Sequence, residues 1–426
     1  MKTASMGRAA ALITALLVAC TQPAPAGSSP TAPAAGSASA APAGIPAPVA
    51  VAVDPKTTAL LVLDITSVIC TPRPQCVGTV PKIASLLKAA RDAKALVVYS
   101  DTPTAGSTIL PEVAPQSGEP KVTGRADKFF GTDLEKILKD KGIQTVVVVG
   151  SAAHGAVLYT TFGANARGFT AVVADDGISV GPGEELGLTI ARWQVLRQPG
   201  FTNPDNKPLE KGRVTLSRSD LIGFGTPPTA SGGGAATPVP TSVSLPALNA
   251  VTLPAGKTAV LALDLINPTC GQRPQCVSSL PKIADLLKRA RAANATVAYS
   301  LTTAPDAAIR PEVAPASGET IVIGPADKFF NTTLDLFLKS KGVTNLVIVG
   351  TAAHGAVLYT SFGANLRGYT VVVPEDGISV GPGEEFGLLG TKWQLLNQPG
   401  FANVGNLPLT ATRVTLSVTE GITFGP

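Results

Sequence analysis

The sequence predicts two tandem α/β domains, each a parallel sheet covered by helices on both faces. Three observations carry that reading. Residues 51–225 match residues 251–425 at an offset of 200 with no gap, with 101 identities in 175 positions. Within each copy, uninterrupted apolar runs of strand length alternate with amphipathic helical stretches, the pattern of a sheet buried on both sides. Residues 21–50 and 226–250 are rich in Pro, Ala, Ser and Gly and show neither period, as linkers do. A repeat this long means duplicated whole domains, since solenoid units run roughly 20–50 residues.

The elements follow in order through the first copy. TALLVLD, residues 58–64, reads as a buried strand. Residues 81–94 set Ile83, Leu86, Leu87 and Ala90 on one helical face, with Pro81 suited to a first turn. ALVVYS is the next strand, and DLEKILKDKG a helix ending at Gly142. TVVVVG is a strand followed by a helix from about His154 to Arg167, with Gly168 as its stop. TAVVAD is a strand, a helix from about Glu184 carries Trp193, and RVTLS closes the domain. Glu184 and Glu185 open their helix where its dipole favours acids.

The first nineteen residues read as an export signal: Lys2 and Arg8, then the eleven-residue apolar run AAALITALLVA. That run is shorter than the roughly 20 residues a spanning helix needs. It ends in LVAC, residues Leu17–Cys20, which looks like the lipobox of bacterial lipoproteins, with Cys20 acylated as the new N-terminus. Thr21 after the cysteine points to the outer membrane by the bacterial sorting rule. The organisation expected is a signal at 1–19, lipidated Cys20 and a disordered tether over 20–55, a domain over 56–225, a linker over 226–256 and a second domain over 257–426. Taken as flexible, the 25-residue stretch 226–250 spans on the order of 25–30 Å, so the domains could pack side by side as an intramolecular pseudo-dimer.

The formal charge of +5 includes Lys2 and Arg8, and no basic stripe remains in the mature chain, which argues against a nucleic-acid partner. The partners expected are a small-molecule ligand or an envelope protein, with the membrane reached through the lipid. Cys70 with Cys76, and Cys270 with Cys276, read as one local disulfide per domain in an oxidising compartment. Zinc wants three or four ligands and the chain has two histidines, so no metal is expected. No cofactor is expected either.

Ligands of open parallel sheets sit beyond the carboxyl ends of the strands. Asp64 ends the first strand, GSAAHGA leads out of the fourth, and the Cys70–Cys76 segment lies between them. Arg73 and Arg273 sit inside the cysteine loops, where a guanidinium could pair with an anion. His154 and His354 are the only histidines, and near a helix N-terminus a neutral ring is favoured.

LLVLDI, KFFGTDLEKILKDKGIQTVVVVG and SAAHGAVLYTTFGANARGFTAVVADDGIS resemble the isochorismatase-like (cysteine hydrolase) superfamily over nearly all of each domain. The resemblance implies a doubly wound, Rossmann-like domain with about six parallel strands. It further implies an Asp after the first strand, a Lys from a later strand and a Cys opening the helix after the fourth. Aspartate matches at Asp64 and Asp264, while the cysteine position reads Ala156 and Ala356. Isochorismatases carry Gly there after an Ala-His pair, and cleave a vinyl ether by protonation without an acyl-enzyme. The family lysine falls on Thr123 and Ile323, although Lys128 and Lys328 stand nearby in ADKFF, and Lys121 shares a face with Thr123 if that segment is a strand. Ser151, Ala152 and Ala156, with Ala352 and Ala356 in the second copy, resemble the family's oxyanion pocket, where a cis bond precedes the second position. Its donors would serve an oxyanion or a bound carboxylate. Two functions remain open: a thiol-free hydrolase using Asp64 and Lys128, or a pair of degenerate copies that bind a small ligand or an envelope partner. The missing cysteine and the displaced lysine together favour the second.

Overall fold

The computed structural model describes residues 44–228 and 233–426. The signal, Cys20 and most of the tether lie outside those residues. The first copy runs β1 (Val51–Val53), β2 (Thr58–Leu63), α1 (Pro74–Asp92), β3 (Leu96–Asp101), β4 (Lys121–Thr123), α2 (Leu134–Asp140), β5 (Thr145–Ser151), a π-helical turn (Ala153–Val157), α3 (Leu158–Ala166), β6 (Thr170–Ser179), α4 (Glu185–Val195), β7 (Val214–Ser217) and β8 (Ile222–Phe224). The second runs β9 (Val251–Pro254), β10 (Thr258–Leu263), α5 (Pro274–Ala292), β11 (Thr296–Leu301), β12 (Thr320–Ile323), α6 (Leu334–Ser340), β13 (Asn345–Thr351), a second π-helical turn (Ala353–Val357), α7 (Leu358–Leu366), β14 (Thr370–Pro374), β15 (Ile378–Ser379), α8 (Glu385–Leu396), β16 (Val414–Ser417) and β17 (Ile422–Gly425).

The first sheet has the strand order β4-β3-β2-β5-β6-β7, and every pairing in it is parallel. The chain reverses its direction of travel between β2 and β5, so their carboxyl ends flank a switch-point crevice. The second sheet repeats this as β12-β11-β10-β13-β14-β16. Here the long β6 of the first domain is divided into β14 and β15, with Pro374 where Ala174 stands. Proline has no N–H to give a ladder, which suits a strand end.

Burial follows the sequence pattern. Every residue of β2 is buried, and alternate positions feed the two faces: Leu61 and Leu63 on one side, Leu60 and Val62 on the other. Gly150 is demanded by packing at the crevice. A Cβ there would stand 2.2 Å from the Leu63 carbonyl oxygen, and its φ is +143°.

Two boundary expectations are corrected. The tether does not run disordered to residue 55. Val51–Val53 pairs in parallel with β8, Ile45 is buried, and Val49 N–H donates to the Leu216 carbonyl. Likewise the linker expected to end at 256 already contains β9, paired with β17. Apolar side chains at alternate positions (Val51 and Val53, Val251 and Leu253) supply burial that the Pro/Ala composition obscured. The helix expected from Pro81 also starts earlier, at Pro74, leaving Pro81 in its interior. The carbonyl that loses its donor belongs to Val77, which is 47% exposed, so water can replace it.

The copies pack against each other around stacked aromatics. Tyr159 stacks on Phe362 at 3.5 Å between ring centres, and Phe162 on Tyr359 at 3.7 Å.

Candidate active site

Each crevice is floored by an ion pair. Asp64 leaves β2 with φ of +55°, a left-handed conformation that Asp tolerates better than most side chains. That turn places its carboxylate in the crevice, 4% exposed. Lys128 is fully buried, and its Nζ lies 2.7 Å from Asp64 Oδ2. Ser100 donates to the other carboxylate oxygen at 2.9 Å, and the ammonium also donates to the Gly124 carbonyl at 2.9 Å. The second copy repeats the arrangement, with Lys328 Nζ 2.8 Å from Asp264 Oδ2 and Ser300 at 2.7 Å from Oδ1.

Lys128, and not Thr123, where the resemblance put the family lysine, thus stands at Asp64. The segment after β4 bends over residues 125–127, and Lys128 is pinned by its N–H, which donates to Thr160 Oγ1, and by its carbonyl, which accepts from Thr132 Oγ1. Thr123 itself bonds Asp101 at the sheet edge, and Lys121 pairs with the same Asp101 at 3.0 Å, away from Asp64. Burial pushes the Asp64 carboxyl above its usual range, opposed by the Lys128 charge; Asp264 behaves alike. A carboxyl held in that way can keep a proton where an exposed one could not.

The peptide bonds Ser151–Ala152 and Thr351–Ala352 are cis, at the position the resemblance implied. Ala152 and Ala156 line the first cavity, of about 380 Å³, and Ala352 and Ala356 the second, of about 420 Å³. With alanine at 156 and 356, neither cavity presents a sulfur nucleophile. The four cysteines among the described residues are tied as Cys70–Cys76 and Cys270–Cys276.

His154 and His354 line their cavities and are buried. Burial pushes each imidazole down to about 4, with Glu184 or Glu384 opposing the effect and Arg73 or Arg273 adding to it. Both rings are therefore neutral at ordinary pH. His154 Nδ1 is buried without a hydrogen-bond partner and faces Gly187 of α4, where a Cβ would stand 2.9 Å away.

Arg73 caps the start of α1 and reaches across the crevice to Ser151 Oγ at 3.4 Å; Arg273 reaches Thr351 Oγ1 at 2.9 Å. Both line their cavities, as do Glu184, which helix-dipole reasoning had explained by its place at a helix start, and Glu384.

The largest omission concerns the opposite domain. Asn397, Pro399 and Gly400 wall the first cavity, and Pro199, Gly200 and Phe201 the second. The contact is close and reciprocal. A Cβ on Gly155 would lie 2.5 Å from Pro399, and one on Gly355 2.4 Å from Pro199. Trp393 meets the His154 ring edge-on at 5.4 Å, and Trp193 does the same to His354. Gln394 donates to the His154 carbonyl and Gln194 to that of His354. The only sequence signal was QPGF, repeated identically at residues 198–201 and 398–401 in otherwise irregular chain.

The family model of the isochorismatase domain matches residues 58–193 and 258–386. A secreted isochorismatase effector of Verticillium dahliae is 33% identical over 110 residues, covering 23% of this chain and 58% of that protein. An isochorismatase family protein of Bacillus subtilis, YwoC, is 32% identical over 108 residues, covering 25% of this chain and 57% of that protein. The chain therefore spans somewhat under three fifths of the curated relatives it matches. Among solved structures, the N-carbamoylsarcosine amidase of Thermoplasma acidophilum aligns over 38% of this chain and 97% of its own, at 23% identity and a TM-score of 0.32.

Proposed function

The chain belongs to the isochorismatase family, and from that premise we propose that each domain is a thiol-free hydrolase of small molecules that works by proton transfer. The observation that carries this reading is the buried Asp64–Lys128 pair, repeated as Asp264–Lys328. The case for degenerate copies rested on a missing cysteine and a displaced lysine; the cysteine is absent, but the lysine stands at the aspartate. With Ala156 and Ala356 in place of a thiol, no acyl-enzyme route is open.

In the proposed chemistry, the protonated Asp64 carboxyl donates to the β-carbon of a vinyl ether. Water then adds to the resulting oxocarbenium, and the hemiketal so formed collapses to a ketone and an alcohol. A proton released by the water returns to Asp64. Burial favours the neutral acid, while the Lys128 ammonium stabilises the carboxylate left after transfer, so both states are accessible. Neutral His154 and the backbone around Ala152 position the ligand.

Asp64→Asn with Asp264→Asn tests the reading. General acid–base chemistry contributes roughly 10²–10⁴-fold. Turnover on isochorismate, a vinyl ether, should therefore fall at least about a hundredfold, with nicotinamide and an N-carbamoyl compound as amide controls that neither protein hydrolyses. Because each substitution strands a buried ammonium, the unfolding midpoint is measured alongside. Turnover that survives in a folded double variant would refute the proposal. The absence of sulfur also favours a second reading, in which the cavities only bind; wild-type protein silent on isochorismate would select it.

We further infer export and lipid anchoring through Cys20, supported by the LVAC sequence and by two disulfides. Among the described residues no helix is long and apolar enough to cross a membrane. Cys20→Ser should release the protein from the membrane fraction; a membrane fraction left unchanged by the substitution would oppose anchoring.

A further inference from the structure

We propose that the two cavities select different ligands: the first takes a small organic dianion, the second does not, and Arg125 makes the difference. This rests on reading each cavity as a small-molecule site, not on turnover there.

The floors are alike, so selection has to come from the mouths. Arg125 lines the first cavity, and its place in the second is taken by Pro325. Among the described residues no carboxylate lies within 4.0 Å of the Arg125 guanidinium. It rests 5.1 Å above the ring of Phe401, which comes from the other domain. A cation held over an aromatic face keeps its planar donor edge available, and that edge fits a carboxylate.

The remaining charges do not cancel this difference. The Asp64 charge is answered by Lys128 at 2.7 Å, which leaves Glu184 against Arg73 and Arg125 in the first cavity. In the second, Asp264 is answered by Lys328, and Arg273 lies 3.9 Å from Glu384. Arg197 feels Glu384 but does not line the cavity. Its guanidinium bonds the Gly44 carbonyl at 3.1 Å and covers the Trp193 ring at 4.8 Å. The first cavity therefore offers two guanidinium groups, Arg73 and Arg125, to a ligand with two acidic ends. The second offers Arg273 alone; a glutamate stands beside the loop arginine in both cavities, so the difference is the guanidinium of Arg125.

The copies themselves supply conservative exchanges. Proline is accommodated at 325, so Arg125→Pro borrows an existing backbone solution, and Pro325→Arg makes the reverse change. Arg125→Gln removes the charge with little change in size, in case proline disturbs the turn. Calorimetric titration of the full chain with isophthalate reads the outcome as a number of sites, with benzamide as the uncharged control.

The wild type should take up one equivalent of isophthalate, with benzamide at least about tenfold weaker. Arg125→Pro and Arg125→Gln should weaken that site about tenfold or more, and Pro325→Arg should raise the stoichiometry to two. Two equal equivalents in the wild type, no isophthalate binding, or binding indifferent to both Arg125 variants would overturn the proposal. Since turnover is not measured, loss of the hydrolase reading would leave this result standing, and the reverse holds as well.

Discussion

The first and second domains share their deepest groups and differ where those groups meet solvent. The Asp–Lys distance is 2.7 Å in one and 2.8 Å in the other, with a serine donor on the same carboxylate oxygen in both. At the rim, Arg125 faces Pro325 in register; at the sheet edge, Lys121 faces Ile321. Even the paired tryptophans differ. Trp193 is 1% exposed because Phe386 covers it edge-on, whereas Trp393 is only partly buried, its domain-1 neighbour at that position being Leu186. A buried charge pair tolerates little change, because losing one partner strands the other in a poor solvent. Rim and edge positions carry no such constraint.

The sharpest way to break that comparison is to remove one ammonium at a time. Lys128→Met and Lys328→Met should each cost about 3–5 kcal/mol in denaturant unfolding. Without its lysine, the carboxyl pKa rises further in the folded state. Its protonated form is then tolerated at low pH and stability is lost as pH rises through that value. The loss should therefore be larger at pH 8 than at pH 5 in both variants. A domain that accepts the change at pH 8 would show that the floors are not equivalent.

The tryptophans should separate the domains. Trp193→Ala should cost about 3–5 kcal/mol, and Trp393→Ala clearly less, since it removes a ring still partly in water. Equal losses would dismiss the covering role of Phe386. The disulfides should restore equality. Removing Cys70–Cys76 or Cys270–Cys276 as a Ser pair opens a ring of sequence separation 6 and should cost about 2 kcal/mol in either domain. In the same experiments, wild-type domains lacking Cys20 should show no free thiol when denatured without reductant. The smallest effect belongs to the sheet edge. Lys121→Ile made together with Asp101→Leu, which installs the two residues found in the other copy, removes a pair whose lysine is half-exposed and should move stability by less than about 1 kcal/mol.

The elements were legible because the sheet is buried on both faces: TALLVLD and TVVVVG have no other reading in water. Asp64 was legible because it ends such a run. Lys128 was legible only as a candidate beside the family position at Thr123, since its placement depends on the bends over residues 125–127, and no local pattern marks how far a loop folds back. The walls at 199–201 and 397–400 were beyond reach for a different reason. They serve the opposite domain, and a surface loop carries no sign of the partner it will meet. The strands at 51–53 and 251–254 were hidden by neighbouring Pro and Ala, whose composition reads as linker although alternate Val and Leu side chains are buried.

The reciprocal insertion of Pro399 against Gly155 and Pro199 against Gly355 has a consequence for how the molecule can vary. In a symmetric dimer of identical subunits, any substitution at the rim would appear in both crevices at once. Joined in one chain by a short connection, the halves meet at an effective concentration in the millimolar range regardless of protein abundance. Their mutual affinity then need not be high, and each half always meets the other and never a copy of itself. Arg125 occurs once per molecule, and a change there alters one crevice alone. The single chain turns an obligatory symmetry into an optional one.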